Sequence, residues 1–390
     1  MMYNVLTLNS ISPVYHGTLR DGEYLVGSSV ANPDAILVRS ADMHGYEINE
    51  NLLCVARAGA GVNNIPLDRM AEAGVVVFNS PGANANAVKE LTVAGLLLAS
   101  RRITDGAAWC QTLAGQPDVE KLVEKGKNQF AGPELAGKTL GVVGLGAIGV
   151  LVANMGVSLG MDVLGYDPFI SVDHAWKLSR AVQHATELSD LLEKSDYITL
   201  HVPLMDSTRD MINASVLARM KPGAALLNFS RGGLVNCADV IDALNRDRLR
   251  VYVTDFPSAE LIGAKNVVLT PHLGASTPES EDNCVRMVAR QVDDYLKTGS
   301  IVNACNYPNC PLGRCVVPRV TVLHKNVPNV IGSITRLLSE EGLNIENMVN
   351  QSRGALAYTV VDVSARPSDA LIQRLRDLET SYRVRLLMPQ

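Results

Sequence analysis

At 390 residues, 47% of them hydrophobic and 19% charged, the chain is long enough for two or three cores and too apolar for a disordered polymer. A formal net charge of -5 excludes bulk electrostatic binding to nucleic acid or an anionic membrane and points to a metabolite, with room for a local basic pocket. The start, MMYNVLTLNS, lacks the basic and apolar regions of a signal peptide, and the longest apolar stretch, residues 91–99, is too short to span a bilayer. A cytoplasmic protein is expected.

In chain order, short β-branched runs at 4–8, 35–38, 53–56 and 75–78 alternate with helical patterns, which predicts an open α/β sheet. A helix over 85–101 leads to a more regular unit with strands at 139–143, 162–166, 197–200, 224–228, 251–254 and 267–269, whose alternation with helices implies a parallel sheet. After a helix over 279–297 comes a cysteine-bearing stretch. A β-α-β-β-α-β pattern follows, with strands at 319–323, 345–350, 358–363 and 384–387 and helices at 329–341 and 368–378. The expected fold is α/β: two Rossmann/flavodoxin-like, doubly wound parallel-sheet domains plus a C-terminal ferredoxin-like α+β domain. Residues 1–98 with 276–304 form the first domain and 99–275 the second, with a linker at 305–317 and the last domain at 318–390.

Seven cysteines (Cys54, Cys110, Cys237, Cys284, Cys305, Cys310, Cys315) make an odd count that suits reduced thiols better than a disulfide framework. The last three are evenly spaced and allow a metal or redox reading. There is no C-x-x-C pair and no nearby His before His324, so a linker with thiols, and no metal, is expected.

Directly after the strand at 139–143 stands Gly144-Leu145-Gly146-Ala147-Ile148-Gly149, opening a helix, and the next strand ends in Tyr166-Asp167-Pro168. Strand, glycine loop, helix and distal carboxylate together read as a dinucleotide site. The glycines let backbone N–H groups approach a pyrophosphate at a helix N-terminus, and Asp167 accepts from ribose hydroxyls. A carboxylate there repels a 2′-phosphate, which favours NAD over NADP.

Four further stretches complete a pattern: Asp196 to Pro203 (DYITLHVP), Met220 to Gly223 (MKPG) with Asn228 to Gly233 (NFSRGG), Asp255 to Glu260 (DFPSAE), and Pro271 to Gly274 (PHLG). With these, residues 5–297 resemble the D-isomer-specific 2-hydroxyacid dehydrogenase family. The resemblance implies that Arg231 anchors the substrate carboxylate, His272 is the acid/base and Glu260 is its partner. It sets His201, Val202, Pro203, Ser230, Asp255 and Gly274 along the cofactor, Asp255 on the nicotinamide side. The chemistry needs these types. Oxidising a 2-hydroxy acid takes a proton from O2 as hydride leaves C2, which suits an imidazole; a carboxylate fixes its tautomer, and a planar guanidinium grips the carboxylate.

The tail, from about residue 318, resembles an ACT regulatory domain, and in His324-Lys325-Asn326-Val327-Pro328 and Gly342-Leu343-Asn344-Ile345-Glu346 the residues carried over as an L-serine effector site are His324, Asn326 and Asn344. Such tails bind amino acids at a dimer interface, so the resemblance implies a homodimer or homotetramer. Asn329 departs from it, since Gly is usual there. Arg39, Arg57 and Gly59 follow strands of the first domain, where two guanidiniums suit a phosphate, and Lys127 aligns loosely as a charge from a neighbouring subunit. Within the family this narrows the expectation to NAD-dependent oxidation of D-3-phosphoglycerate to 3-phosphohydroxypyruvate, the first step of L-serine biosynthesis. The alternatives are a hydroxypyruvate or glyoxylate reductase and, from another class, an NAD-sensing corepressor. A formate dehydrogenase would carry Gln where Glu260 stands.

Overall fold

The structure, a computed structural model, describes residues 2–389. Its first sheet is parallel: β1 (Tyr3–Leu8), β2 (Tyr24–Gly27), β3 (Ala35–Val38), β4 (Cys54–Arg57) and β5 (Val76–Phe78), in the order β2-β1-β3-β4-β5. Every residue of β3 and β5 is buried, as expected of strands covered on both faces. Strand β2 has no counterpart in the sequence expectation, because only Tyr24 of its four residues is buried and no apolar run marks it.

The second sheet contains β6 (Thr139–Val143), β7 (Asp162–Tyr166), β8 (Gln183–His184), β9 (Tyr197–Leu200), β10 (Ala224–Asn228), β11 (Leu249–Thr254) and β12 (Val267–Leu269). Its order, β12-β11-β10-β9-β6-β7-β8, reverses between β6 and β9. In such sheets ligands sit at the carboxyl ends of the strands flanking that reversal.

The third sheet is antiparallel: β13 (Arg319–Lys325), β14 (Ile345–Arg353), β15 (Leu356–Val363) and β16 (Ser381–Leu387), in the order β14-β15-β13-β16. With the helices Val330–Glu340 and Asp369–Arg376 it forms the expected β-α-β-β-α-β pattern. Val320, Val322, Val361, Val363 and Val384 pack on Ile334, Leu337, Leu338, Leu371 and Leu375 of the helices.

The chain divides into two compact units, residues 1–83 with 281–390 and residues 84–280. The first holds the five-stranded and four-stranded sheets together. Leu323, Tyr358 and Val360, on the face of the third sheet away from its helices, join one core with Val5, Phe78, Tyr295 and Leu296. Three arginines reinforce the contact. Arg385 lies over the Tyr295 ring, 4.7 Å from its centroid, and donates to the carbonyls of Tyr295 (3.0 Å) and Leu296 (2.7 Å) in the last turn of the helix Pro278–Thr298, where a cation also suits the helix dipole. Arg319 grips Asp362 through Nε (2.6 Å) and Nη2 (3.0 Å) and donates to the Thr298 carbonyl, while Arg383 donates to the carbonyls of Glu50 and Ala73.

The stretch expected as a linker at 305–317 is built into this unit. Asn306 behaves like an extra strand residue, its Oδ1 accepting from Val77 N–H (2.9 Å) and its Nδ2 donating to the Val75 carbonyl (2.8 Å). Tyr307 is fully buried, with its hydroxyl on the Ala71 carbonyl. All seven cysteines are free thiols; burial pushes Cys310 up to about 11 and raises Cys305 and Cys315. Among the described residues no group of three or more His, Cys, Asp or Glu side chains converges on a metal-sized site, and no helix is long and apolar enough to cross a membrane.

The second unit begins with the helix Ala85–Ser100, whose buried Val88, Leu96 and Ala99 share a core with Val142, Ala153, Leu227 and Phe229. The structure thus sets the first division before this helix, at 83/84, where the sequence expectation has 98/99. Contact is closest at Gly95, where a Cβ would come within 2.7 Å of the Phe229 ring.

Candidate active site

The turn after β6 is a cradle lined by the glycines Gly144, Gly146 and Gly149. Gly144 sits at φ +91°, where an added Cβ would stand 2.7 Å from the His201 carbonyl oxygen, and a Cβ on Gly149 would collide with the Gly144 carbonyl. Gly146, by contrast, has open space where its Cβ would be. It precedes the helix Ala147–Ser158, so unpaired N–H groups surround that space. Asp167 is fixed at the end of β7 by accepting from Leu145 N–H and Phe169 N–H, both at 2.8 Å. Its remaining lone pairs suit ribose hydroxyls.

The ends of β9, β10 and β11 are stitched together beside this cradle. His201 N–H donates to the Val143 carbonyl, and the Ser230 hydroxyl donates to the Val202 carbonyl (2.6 Å). Asn228, a polar residue closing an otherwise apolar strand, accepts from Ser230 N–H (3.1 Å) and donates to the Arg231 carbonyl (2.9 Å). Thr254 holds it from β11 through a bond to its carbonyl (2.7 Å). Asn228 therefore shapes the loop that presents Arg231. The sequence reading did not single it out, although a lone polar residue after Ala-Ala-Leu-Leu is the signal.

Asp255 is 1% exposed. Its Oδ2 accepts from Gly274 N–H (3.0 Å), while Oδ1 is buried without a partner. Burial raises its pKa, and the Gly274 N–H, His272 and Arg231 oppose that rise. The buried carboxylate thus lies within electrostatic reach of both predicted catalytic cations. His272 is exposed, packs on the Phe256 ring (4.9 Å between centroids) and holds φ +52°, a left-handed conformation unusual for histidine. Strain of this kind, on the order of 1 kcal/mol, collects at functional sites. Its backbone is held by the Asp255 and Thr270 carbonyls.

Glu260 stands exposed in the turn after β11, and no hydrogen bond or ion pair joins it to His272 among the described residues. The structure places the two in one loop system without forming the expected dyad. His201 differs sharply from His272. Its Nδ1 is buried without a partner, its Nε2 lies 3.0 Å from the Thr199 hydroxyl, and burial pushes its pKa down to about 3. It stays neutral at working pH, which removes it as a competing acid/base. Val202 follows it, with its Cγ1 2.8 Å from where a Cβ on Gly144 would stand.

A second cluster lies in the first unit, after β3 and β4. Arg57 Nε donates to the Arg39 carbonyl (3.1 Å), and Gly59, at φ +156°, backs directly onto the Arg57 guanidinium, where any side chain would strike it. Arg39 is ion-paired with Glu281, near the start of the long helix Pro278–Thr298. Sequence reasoning missed Glu281, since nothing local marks it. Lys127 lies in the second unit, paired with Glu124 at 2.5 Å.

The three predicted effector residues do not meet. His324 is buried with both ring nitrogens engaged, Nδ1 with the Lys325 carbonyl (2.8 Å) and Nε2 with the Thr359 hydroxyl (2.7 Å). Asn326 donates to the Gly354 carbonyl and Asn344 to Glu346, at opposite ends of the 11-residue helix Val330–Glu340, a span of roughly 16 Å. Asn329, at φ +69°, fills a left-handed position that Asn tolerates nearly as well as the Gly expected there.

Residues 93–274 match the family model described as D-isomer specific 2-hydroxyacid dehydrogenase, NAD binding domain. D-3-phosphoglycerate dehydrogenase of Escherichia coli strain K12 is 33% identical over 354 residues, 87% of this chain and 82% of that one. D-3-phosphoglycerate dehydrogenase 2 of Saccharomyces cerevisiae is 28% identical, over 98% of this chain and 87% of its own. Among solved structures, a Thermus thermophilus protein is 26% identical with TM-score 0.62, covering 75% of this chain and 96% of its own. The NAD+-bound 3-phosphoglycerate dehydrogenase of Entamoeba histolytica, at 22% identity and TM-score 0.60 over 78% and 99%, shows the shared fold.

Proposed function

We propose a substrate for this chain, which belongs to the D-isomer specific 2-hydroxyacid dehydrogenase family and is an NAD-dependent oxidoreductase: D-3-phosphoglycerate, oxidised to 3-phosphohydroxypyruvate. The observation that carries it is that two arginines share one neighbourhood of the first unit: Arg57 Nε donates to the Arg39 backbone carbonyl and both side chains act on the Cys284 thiol, a concentration of positive charge that suits a dianion better than an unphosphorylated hydroxy acid. The name of the E. coli relative supports the same reading.

The cofactor site fits NAD: an open cradle at Gly146, a carboxylate at Asp167 and an unpartnered acceptor at Asp255 Oδ1. When bound there, NAD supplies the acceptor for the hydride leaving C2. The chain's own work is to hold and to deprotonate. Arg231 takes the substrate carboxylate and polarises O2, and His272 removes the O2 proton. Asp255 stabilises the imidazolium that results, from the buried side. Glu260 closes onto the ring's other nitrogen when substrate is bound, as catalytic hydrogen bonds often do.

The finer readings follow from the same substrate. The reaction is the first step of L-serine biosynthesis, in the cytoplasm, and the enzyme works as a homodimer or homotetramer in which Lys127 serves a neighbouring subunit. Because Asn326 and Asn344 sit at opposite ends of one helix, an L-serine site built from them takes one residue from each of two copies, with His324 bracing the strand rather than touching the ligand. Unchanged rates across millimolar L-serine would remove that regulatory reading.

The direct test is an NADH absorbance assay with 3-phosphohydroxypyruvate, hydroxypyruvate and glyoxylate side by side. The proposal expects kcat/KM for the phosphorylated substrate to exceed the others by on the order of 100-fold, the worth of two charge-assisted contacts. Equal values would leave a hydroxypyruvate or glyoxylate reductase.

A further inference from the structure

The first unit presents the proposed phosphate with a conflict. The Arg39 guanidinium is ion-paired with the Glu281 carboxylate, with 40% and 38% of the two side chains exposed. Arg57 is held differently, its Nε on the Arg39 carbonyl and its guanidinium against Gly59. The acidic neighbour of Glu281 is committed elsewhere, for Asp282 accepts from the Ser12 hydroxyl (2.5 Å) and pairs with Arg286 (3.3 Å). Glu281 meets Arg39 from the long helix. One turn further along, the Cys284 thiol is raised by burial but pulled down by Arg57 and Arg39, with Glu281 opposing them, so all four side chains share one electrostatic neighbourhood.

Resting on the phosphate reading above, we propose that Glu281 is a specificity-determining residue, a resident carboxylate that holds Arg39 until a substrate phosphate displaces it. The exchange swaps one anion for a stronger one. A monoanionic or uncharged group at C3 gains too little from Arg39 to displace Glu281, whereas a dianion with three acceptor oxygens gains contacts to both guanidiniums and repels the carboxylate. Glu281 then weakens all anion binding at this point while sharpening the choice between phosphorylated and unphosphorylated substrates. Because the pair is half-exposed, the swap stays cheap enough to occur on each turnover.

The test uses the full-length enzyme, with KM and kcat measured for 3-phosphohydroxypyruvate and hydroxypyruvate in the parent, Glu281→Gln and Arg39→Ala, together with competitive inhibition by inorganic phosphate. Glu281→Gln is expected to lower KM for the phosphorylated substrate and the inhibition constant for phosphate by about three- to tenfold, the range for a half-exposed charge pair. A carboxylate that merely orients Arg39 gives the opposite result, with both constants raised, and would overturn the proposal, as would no change in either. Glu281→Ala, read in the same assay, guards against a folding effect peculiar to the amide. If Arg39→Ala raises KM for the phosphorylated substrate while Glu281→Gln does not lower it, this inference fails and the phosphate reading stands. If Arg39→Ala leaves that KM unchanged, the phosphate reading itself fails.

Discussion

The cradle after β6 and the arginine cluster after β3 and β4 suit phosphate oxygens by opposite means. The first offers no charge at all, only N–H groups at a helix start and glycines that let an anion approach, one of them at φ +91°. The second, in the proposed reading, offers two guanidiniums and sets a carboxylate against one of them. A backbone cradle is rigid and indifferent to what lies beyond the pyrophosphate, which suits a cofactor shared by many enzymes. A side-chain cluster with a built-in competitor can discriminate, and this suits the substrate.

Substitutions on either side sharpen that contrast. The largest effect is expected where neither loop binds but the proton moves: His272→Gln should reduce kcat by on the order of 10² to 10⁴, the usual worth of a general base. If turnover stayed near the parent value, the mechanism would fail whatever the substrate. Next, Gly149→Val drives a side chain into the Gly144 carbonyl and should weaken NAD binding by roughly 100-fold, as a blocked backbone approach does, read by fluorescence titration with NADH. A charged cofactor site would tolerate the change; a backbone cradle does not. Arg39→Ala should raise KM for 3-phosphohydroxypyruvate by on the order of tenfold while changing NAD affinity little, since its guanidinium serves the other cluster.

The smallest effect concerns the histidine beside the cradle. His201 titrates near 3 when folded, against an ordinary value of 6.5, so below pH 6.5 the unfolded chain binds a proton that the folded chain refuses. Stability is therefore lost as pH falls from 6.5 toward 3. Between pH 7 and pH 5.5 this one residue should cost about 1 kcal/mol, visible as a lower urea midpoint, and His201→Gln should flatten that part of the profile. An unchanged slope in the variant would mean that the ring is hydrated.

The same contrast explains what was legible in the sequence. The cradle and its strand are written within a dozen residues, and Thr139–Val143, Tyr197–Leu200 and Ala224–Asn228 stand where the apolar runs predict them, because buried parallel strands are short and uniformly apolar. Strand β2 lacks such a run and left no mark. Glu281 lies far along the chain from Arg39, and its meaning exists only after folding. So it is with the tail: Arg319 and Arg385 donate to carbonyls at the end of the long helix and Arg383 to those of Glu50 and Ala73, partners distant in sequence that no local pattern announces. The tail and the first sheet fall in one compact unit through these contacts. Arg231, Asp255 and His272 follow the ends of β10, β11 and β12, while the hydrogen bond expected between Glu260 and His272 is not formed among the described residues, since it depends on a loop geometry that no spacing encodes.

The central claim is that the arginine cluster recognises phosphate, and the most direct measurement is the ratio of kcat/KM for 3-phosphohydroxypyruvate to that for hydroxypyruvate, in the parent enzyme and in Arg39→Ala. The account predicts a ratio on the order of 100 in the parent that falls by about tenfold in the variant. A parent ratio near one, or a high ratio that survives the loss of Arg39, would contradict it.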